Sequence, residues 1–121
     1  MKPMQTSRKE AILIMDSRFT PGMALRHQNL FGRWSQLYRA GDLYLDLTLK
    51  SEDAKFVLVG QVIAEARQFS RSHITLHGPN RYNTSPVNEY GIFHLNIQQK
   101  GRYELEFAMG QETFLIHGIE V

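Results

Sequence analysis

Leu43-Tyr-Leu-Asp-Leu-Thr-Leu-Lys50 decides the fold. In a β-strand successive side chains point to opposite faces, so Leu43, Leu45, Leu47 and Leu49 share one face and Tyr44, Asp46, Thr48 and Lys50 the other. A helix would spread the same leucines around its circumference. The stretch therefore reads as a half-buried strand, apolar face inward. The same alternation recurs downstream at Ile74 and Leu76, at Phe93, Leu95 and Ile97, and at Tyr103, Leu105, Phe107 and Met109.

Three further runs are apolar on both sides. Lys55 to Ile63 (KFVLVGQVI) is rich in β-branched residues and long enough for a central strand, Thr113 to Val121 (TFLIHGIEV) reads as a closing strand, and Ala11 to Met15 (AILIM) as a short early one. Lys50 to Ala54 and Gln99 to Arg102 read as hairpin turns, Gly110-Gln111 as a tight connection, and Gly78 to Pro86 as a loop on composition. Asp16 to Tyr38 does not alternate cleanly. It carries Pro21, Gly22 and Gly32, and leaves open a short helix within Ala24 to Gln36 or a strand over Trp34 to Arg39. The expectation is an all-β, seven- to eight-stranded antiparallel Greek-key β-sandwich in one domain, with residues 43–121 as its core and residues 1–42 as a partly irregular N-terminal extension contributing a strand.

Composition agrees. Two cores in 121 residues would each have about 60, near the lower limit for folding alone, so one domain is expected. Hydrophobic residues make up 42% and charged residues 21%, as in ordinary globular chains. The net charge is only +2 and the basic residues are scattered, which argues against a nucleic-acid partner. The absence of cysteine excludes disulfides, cysteine zinc sites and thiol catalysis. No stretch approaches the roughly 20 apolar residues of a membrane span, and AILIM is too short for a signal-peptide core. Taken as a whole chain, it reads as cytoplasmic.

Asn88-Glu-Tyr-Gly-Ile-Phe-His-Leu95 followed by Lys100-Gly-Arg-Tyr-Glu-Leu105 resembles the signature of carboxypeptidase-regulatory-like (prealbumin- or transthyretin-like) domains. Leu58-Val-Gly-Gln-Val62 and His73-Ile-Thr-Leu76 resemble that family's opening strands, so the resemblance covers about residues 56–121. Val87 and Gln99-Lys100 depart from the family's usual threonine and proline. The resemblance implies a seven-stranded Greek-key sandwich serving as a folding, spacer or binding module. Meanwhile Met15-Asp-Ser17 and Leu37 to Leu43 resemble the N-terminal extensions such domains carry in bacterial chains. On physical grounds, Gly91 opens a strand where a side chain would crowd the corner, and Phe93 and Tyr103 project inward from strands expected to be neighbours.

No catalytic motif emerges. There is no G-x-S-x-G, no P-loop and no G-x-G-x-x-G. Asp42, Asp46, Glu104 and Glu106 fall at outward positions, where nothing tunes a carboxylate for acid–base work. His73 and His77 share a face but stand about 13 Å apart at roughly 3.3 Å per residue, so a metal site would need His94 or His117 as well. The reading is a non-catalytic structural or protein-interaction module, with no catalytic, metal or cofactor residues, that associates with a protein partner or with itself. Two places suit that role. Phe31, Trp34 and Tyr38 form an aromatic group that either caps the sandwich or is an exposed patch. Ile12, Leu13 and Ile14 form a strand that pairs with its own sheet or a neighbour's. The alternative is a domain for an anionic or carbohydrate ligand, bound through loops 67–72 and 79–87 with Arg67, Arg71, Arg81 and Tyr82.

Overall fold

The computed structural model describes residues 7–18, 32–53, 55–64, 69, 71–79 and 82–121, and every regular element among them is a strand. In chain order these are β1 (Ser7–Glu10), β2 (Ile12–Asp16), β3 (Gly32–Ala40), β4 (Leu43–Glu52), β5 (Lys55–Ile63), β6 (His73–His77), β7 (Tyr82–Pro86), β8 (Ile92–Ile97), β9 (Arg102–Met109) and β10 (Glu112–Glu120). They form two five-stranded sheets: sheet I in the order β1-β10-β9-β6-β7, sheet II in the order β2-β3-β4-β5-β8.

The alternation drives this arrangement. Leu43, Leu45, Leu47 and Leu49 of β4 all point into the core, where Leu58 and Val62 of β5 and Phe93, Leu95 and Ile97 of β8 join them. Sheet I contributes Ile74, Leu76, Leu105, Phe107, Phe114, Ile116 and Ile119 from the opposite side. Each fully buried aliphatic side chain contributes about 1.5–3 kcal/mol relative to exposure. Between the sheets β5 passes over Phe93, with Gly60 directly opposite that residue in the register. A Cβ at Gly60 would stand 2.1 Å from the Phe93 ring, so the glycine lets the ring lie flat against the backbone. Gly91, at φ +81°, turns the chain into β8, and a Cβ there would meet the Val62 carbonyl at 2.4 Å. The crowded corner expected at Gly91 is present.

β7 and β8 touch where the two sheet edges meet, and the Asn83 side-chain amide donates to the Asn96 carbonyl across that seam at 2.9 Å. Around the sandwich the strands therefore run β5-β8-β7-β6-β9. The consecutive strands β6, β7 and β8 are flanked by β5 and β9, which is Greek-key connectivity.

Several expectations need correction. The described residues form ten strands, not seven or eight, because edge strands carry no inward apolar alternation. β7 is one of them, inside what composition marked as a loop. The sheets are not wholly antiparallel, since β1 runs parallel to β10, Ser7 opposite Glu112. Gln99 to Arg102 is not a hairpin turn: it carries the chain from β8 in sheet II to β9 in sheet I. Phe93 and Tyr103 are both buried but lie in opposite sheets, so they do not pair across neighbouring strands. β3, read as part of an extension, is an interior strand between β2 and β4. The helix considered within Ala24 to Gln36 falls largely outside the described residues, and its described end, from Gly32 onward, is strand.

Candidate interaction surface

The N-terminal segment joins both sheets. β1 lies along β10 in sheet I, the Ala11 amide donates to the Leu115 carbonyl at 2.8 Å, and the chain then crosses to pair antiparallel with β3 in sheet II. At the far end the Ser17 amide donates to the Ser35 carbonyl at 2.8 Å. Ile12, Leu13 and Ile14 therefore pair within their own chain.

Their side chains do not follow their backbone inward. Ile12 is 69% exposed, Leu13 46%, Ile14 44% and Met15 39%. Four consecutive large apolar residues at the rim of a sheet are an unusual surface. The other edges are managed differently. β1 carries Arg8, Lys9 and Glu10, while β7 is polar and ends in Pro86. β8 is abutted by β7. Charges and proline are common means of discouraging edge-to-edge association, and β2 has neither between Ile12 and Met15. It does carry a bulge between Leu13 and Met15, which breaks the ladder there.

The apolar character continues from β2 across the outer face of sheet II. One row of the register runs Ile12, Arg39, Tyr44, Ile63, and the next runs Met15, Leu37, Asp46, Gln61, Ile92. Tyr44 and Ile63 are exposed; Leu37, Val59 and Ile92 are half-buried. The outer face of sheet I is quite different, with Arg8, Glu10, His77, Glu104, Glu106 and His117 on it. There His117 bonds Glu104 through Nδ1 at 3.1 Å and Glu10 through Nε2 at 3.2 Å, and His77 approaches Glu106 at 3.6 Å. The two outer faces thus differ in chemistry, one mixing apolar with polar residues beside β2 and one largely ionic.

The hydrogen bond to Glu104, reinforced by the charges of Glu104 and Glu10, raises the His117 pKa above its ordinary value. A histidine raised on folding contributes stability that is fully present below its unfolded pKa and is lost as pH rises through the folded one. A proton NMR titration should place His117 above the usual histidine value of about 6.5, and Glu104→Gln should lower it. No change in Glu104→Gln would mean the contact does not persist in solution.

Beneath β2 lies a polar clamp. Asp16 is 4% exposed and faces Gln36 in the register. The Gln36 amide donates to Asp16 Oδ2 at 2.8 Å, and the Tyr38 hydroxyl donates to Gln36 Oε1 at 2.9 Å. The Arg18 guanidinium grips the carboxylate with both prongs, Nε to Oδ1 at 3.0 Å and Nη2 to Oδ2 at 2.7 Å, and its backbone amide adds a bond to Oδ1 at 2.9 Å. Arg18 also lies 5.5 Å over the Trp34 ring, whose Nε1 donates to the Glu120 carbonyl at 3.2 Å. The Arg18 bonds above all, then that from Gln36, outweigh desolvation and lower Asp16 to about 2. Burial first, and then the Asp16 charge, push Tyr38 up to about 12. The cluster ties β2 to β3 and both to the end of β10.

The residues singled out from sequence divide accordingly. Trp34 and Tyr38 are each 6% exposed and belong to the core, so they do not form an exposed patch; they share the inward parity of Gln36 and Ala40 along β3. Phe31, Arg67 and Arg81 lie outside the described residues. Arg71 is exposed at positive φ, and Tyr82 is exposed with its ring 6.4 Å from that of His77. Phe69, within the first of the loops marked for a ligand, is buried in the core. His94 is on the outer face of sheet II, away from His73 and His77 in sheet I, and no described group of three His, Asp or Glu converges on a metal position. Asp16, Arg18 and Gln36 were missed. The available signal was parity: a glutamine at an inward position between Trp34 and Tyr38 needs a buried polar partner.

No described helix is long and apolar enough to cross a membrane. No protein-family model, curated protein or solved structure matches the chain.

Proposed function

We propose that the chain is a non-catalytic interaction module that associates with a second copy of itself through β2 and the adjoining outer face of sheet II. The observation that carries this is the exposed run Ile12 to Met15 on an edge without charge or proline. Burial of such side chains stabilises association by about 25 cal/mol per Å² of apolar area removed from water, less the cost of immobilising two molecules. The run is self-complementary. It holds no charge, so two copies can pack their runs together without burying an ion. The bulge at Ile14 disfavours a continuous shared ladder, so side-chain packing carries the contact.

The resemblance to carboxypeptidase-regulatory-like domains is part of the same proposal, supported by the tight corner at Gly91 and the inward Phe93 and Tyr103. It favours a binding or spacer role over catalysis.

Light scattering on the intact chain should give twice the 14.0 kDa protomer mass. The double substitution Ile12→Lys with Ile14→Lys should give the protomer mass with unchanged circular dichroism, since exposed replacements of this kind usually shift stability by only about 0.5 kcal/mol. A monomeric wild-type chain at about millimolar concentration, where an association of only about 4 kcal/mol would already be visible, overturns the proposal.

A further inference from the structure

The seam between β7 and β8 opens into a cleft of about 250 Å³. Four carboxamide residues, Asn83, Asn96, Gln98 and Gln99, line it together with Thr84, His94 and Leu95. Among the described residues no Asp, Glu, Lys or Arg lines it, although 26 of the 121 residues are charged. Tyr103 forms part of the wall with a mostly buried ring, and its hydroxyl is committed to the Gln99 carbonyl at 2.6 Å. The seam is pinned from beneath by the Asn83 to Asn96 hydrogen bond, so the two sheet edges hold the walls at a fixed separation.

We propose that this cleft binds a neutral carbohydrate, one sugar ring of an oligosaccharide seated among the amides. The chemistry selects that class. A carboxamide offers an acceptor and two donors in one plane, and a sugar hydroxyl both donates and accepts, so neighbouring hydroxyls can be matched by one side chain. A phosphate or carboxylate ligand would find no fixed cation among the described lining residues to offset its desolvation. An apolar ligand would find little apolar wall, whereas small-molecule sites for such ligands are lined mostly by hydrophobic side chains. The volume would hold about eight waters at roughly 30 Å³ each, close to what a single hexose ring displaces. Binding is weak, because Tyr103 is too buried to serve as a stacking platform and His94 alone presents an exposed ring. Of the loops marked from sequence for a ligand, residues 79–87 reach this cleft, through Asn83 and Thr84. The inference stands apart from self-association, since the cleft and β2 are at opposite edges of sheet II.

The test is a nitrogen-15 NMR titration of the intact chain with maltohexaose, cellohexaose, xylohexaose and chitohexaose, with glucose 6-phosphate as an anionic counterpart. Saturable shifts are expected at the backbone and side-chain amides of Asn83, Asn96, Gln98 and Gln99 with at least one neutral oligosaccharide, at a Kd of about 1 mM, or about 4 kcal/mol. Adding salt should leave the affinity unchanged, because no ion pair is involved. His94→Ala and Gln98→Ala, both at exposed positions, should each weaken binding at least about fivefold, the loss of roughly one hydrogen bond. Absence of saturable shifts with all four oligosaccharides at about 20 mM, well above such a Kd, overturns the proposal. So do shifts confined to residues outside the seam, or a preference for glucose 6-phosphate that salt abolishes.

Discussion

Gly60→Ala should destabilise the fold by about 3 kcal/mol, near the upper end for overpacking in a closed core. The methyl group would be placed 2.1 Å from Cζ of Phe93 and within 2.7 Å of both Cε atoms. Phe93 is among the largest fully buried side chains, so its ring has no vacant space into which to retreat. Chemical denaturation measures the loss directly. The pairing makes a second statement that isolates the cause. Phe93→Leu alone should cost about 1 kcal/mol through lost packing, yet Gly60→Ala in the Phe93→Leu background should cost well under the value it has alone. A coupling of at least about 1 kcal/mol is expected between residues in such direct contact. Strict additivity would show that the strain of alanine at position 60 comes from elsewhere in β5.

The second large effect belongs to the clamp beneath β2. Asp16→Ala should cost about 2 kcal/mol, since it leaves a buried amide without its acceptor. It strips the acceptor from Gln36, which is itself buried, and from the half-exposed Arg18. Part of this energy is readable by pH alone. The Asp16 carboxyl is held near 2 against an ordinary 3.8, a difference equivalent to about 2 kcal/mol. Because the folded value is the lower one, that stability is present above the unfolded value and drains away as pH falls from about 4 towards about 2. Urea midpoints across this range should drop steeply in the native sequence and less steeply in Asp16→Asn. Parallel acid limbs in the two proteins would remove Asp16 as the source.

The strands that form the core could be read from the sequence, because burial imposes alternation. Leu43 to Leu49, Phe93 to Ile97 and Tyr103 to Met109 each announce both a strand and its inward face. Edge strands have no such obligation. Tyr82-Asn-Thr-Ser-Pro86 is ladder-paired to β6, but its polar side chains give no periodic signal, so composition made it a loop. Ser7 to Glu10 is concealed by its charges in the same way. Hairpins and sheet-crossing turns were indistinguishable too: Gly110-Gln111 links neighbours in sheet I, while Gln99 to Arg102 changes sheet, and both are short and polar. Of the candidate surface, the AILIM run was legible as an apolar strand, but its exposure was not. That property depends on which strand lies beside it and on what the outer face of sheet II meets, and neither is local. Trp34 and Tyr38 misled for the converse reason: they share parity with Gln36, but which face of that strand turns inward is settled only when β3 is placed between β2 and β4.

The parallel pairing of β1 with β10 has a consequence for the ribosome. Ser7 meets Glu112, so the two strands that complete sheet I are separated by nearly the whole described chain. At about 5–20 residues per second, roughly five to twenty seconds of synthesis pass after β1 emerges before its partner exists. During that time Ile12 to Met15 can pair with β3, but the neighbouring charged strand has no ladder to join. Contacts this distant in sequence also slow spontaneous refolding, towards the millisecond-to-second range of all-β sandwiches. Over the same interval the inward leucines of β4 and β5 lack the side chains of β9 and β10 that complete the core, which makes this a protein whose yield should respond to chaperones that shield apolar segments during translation.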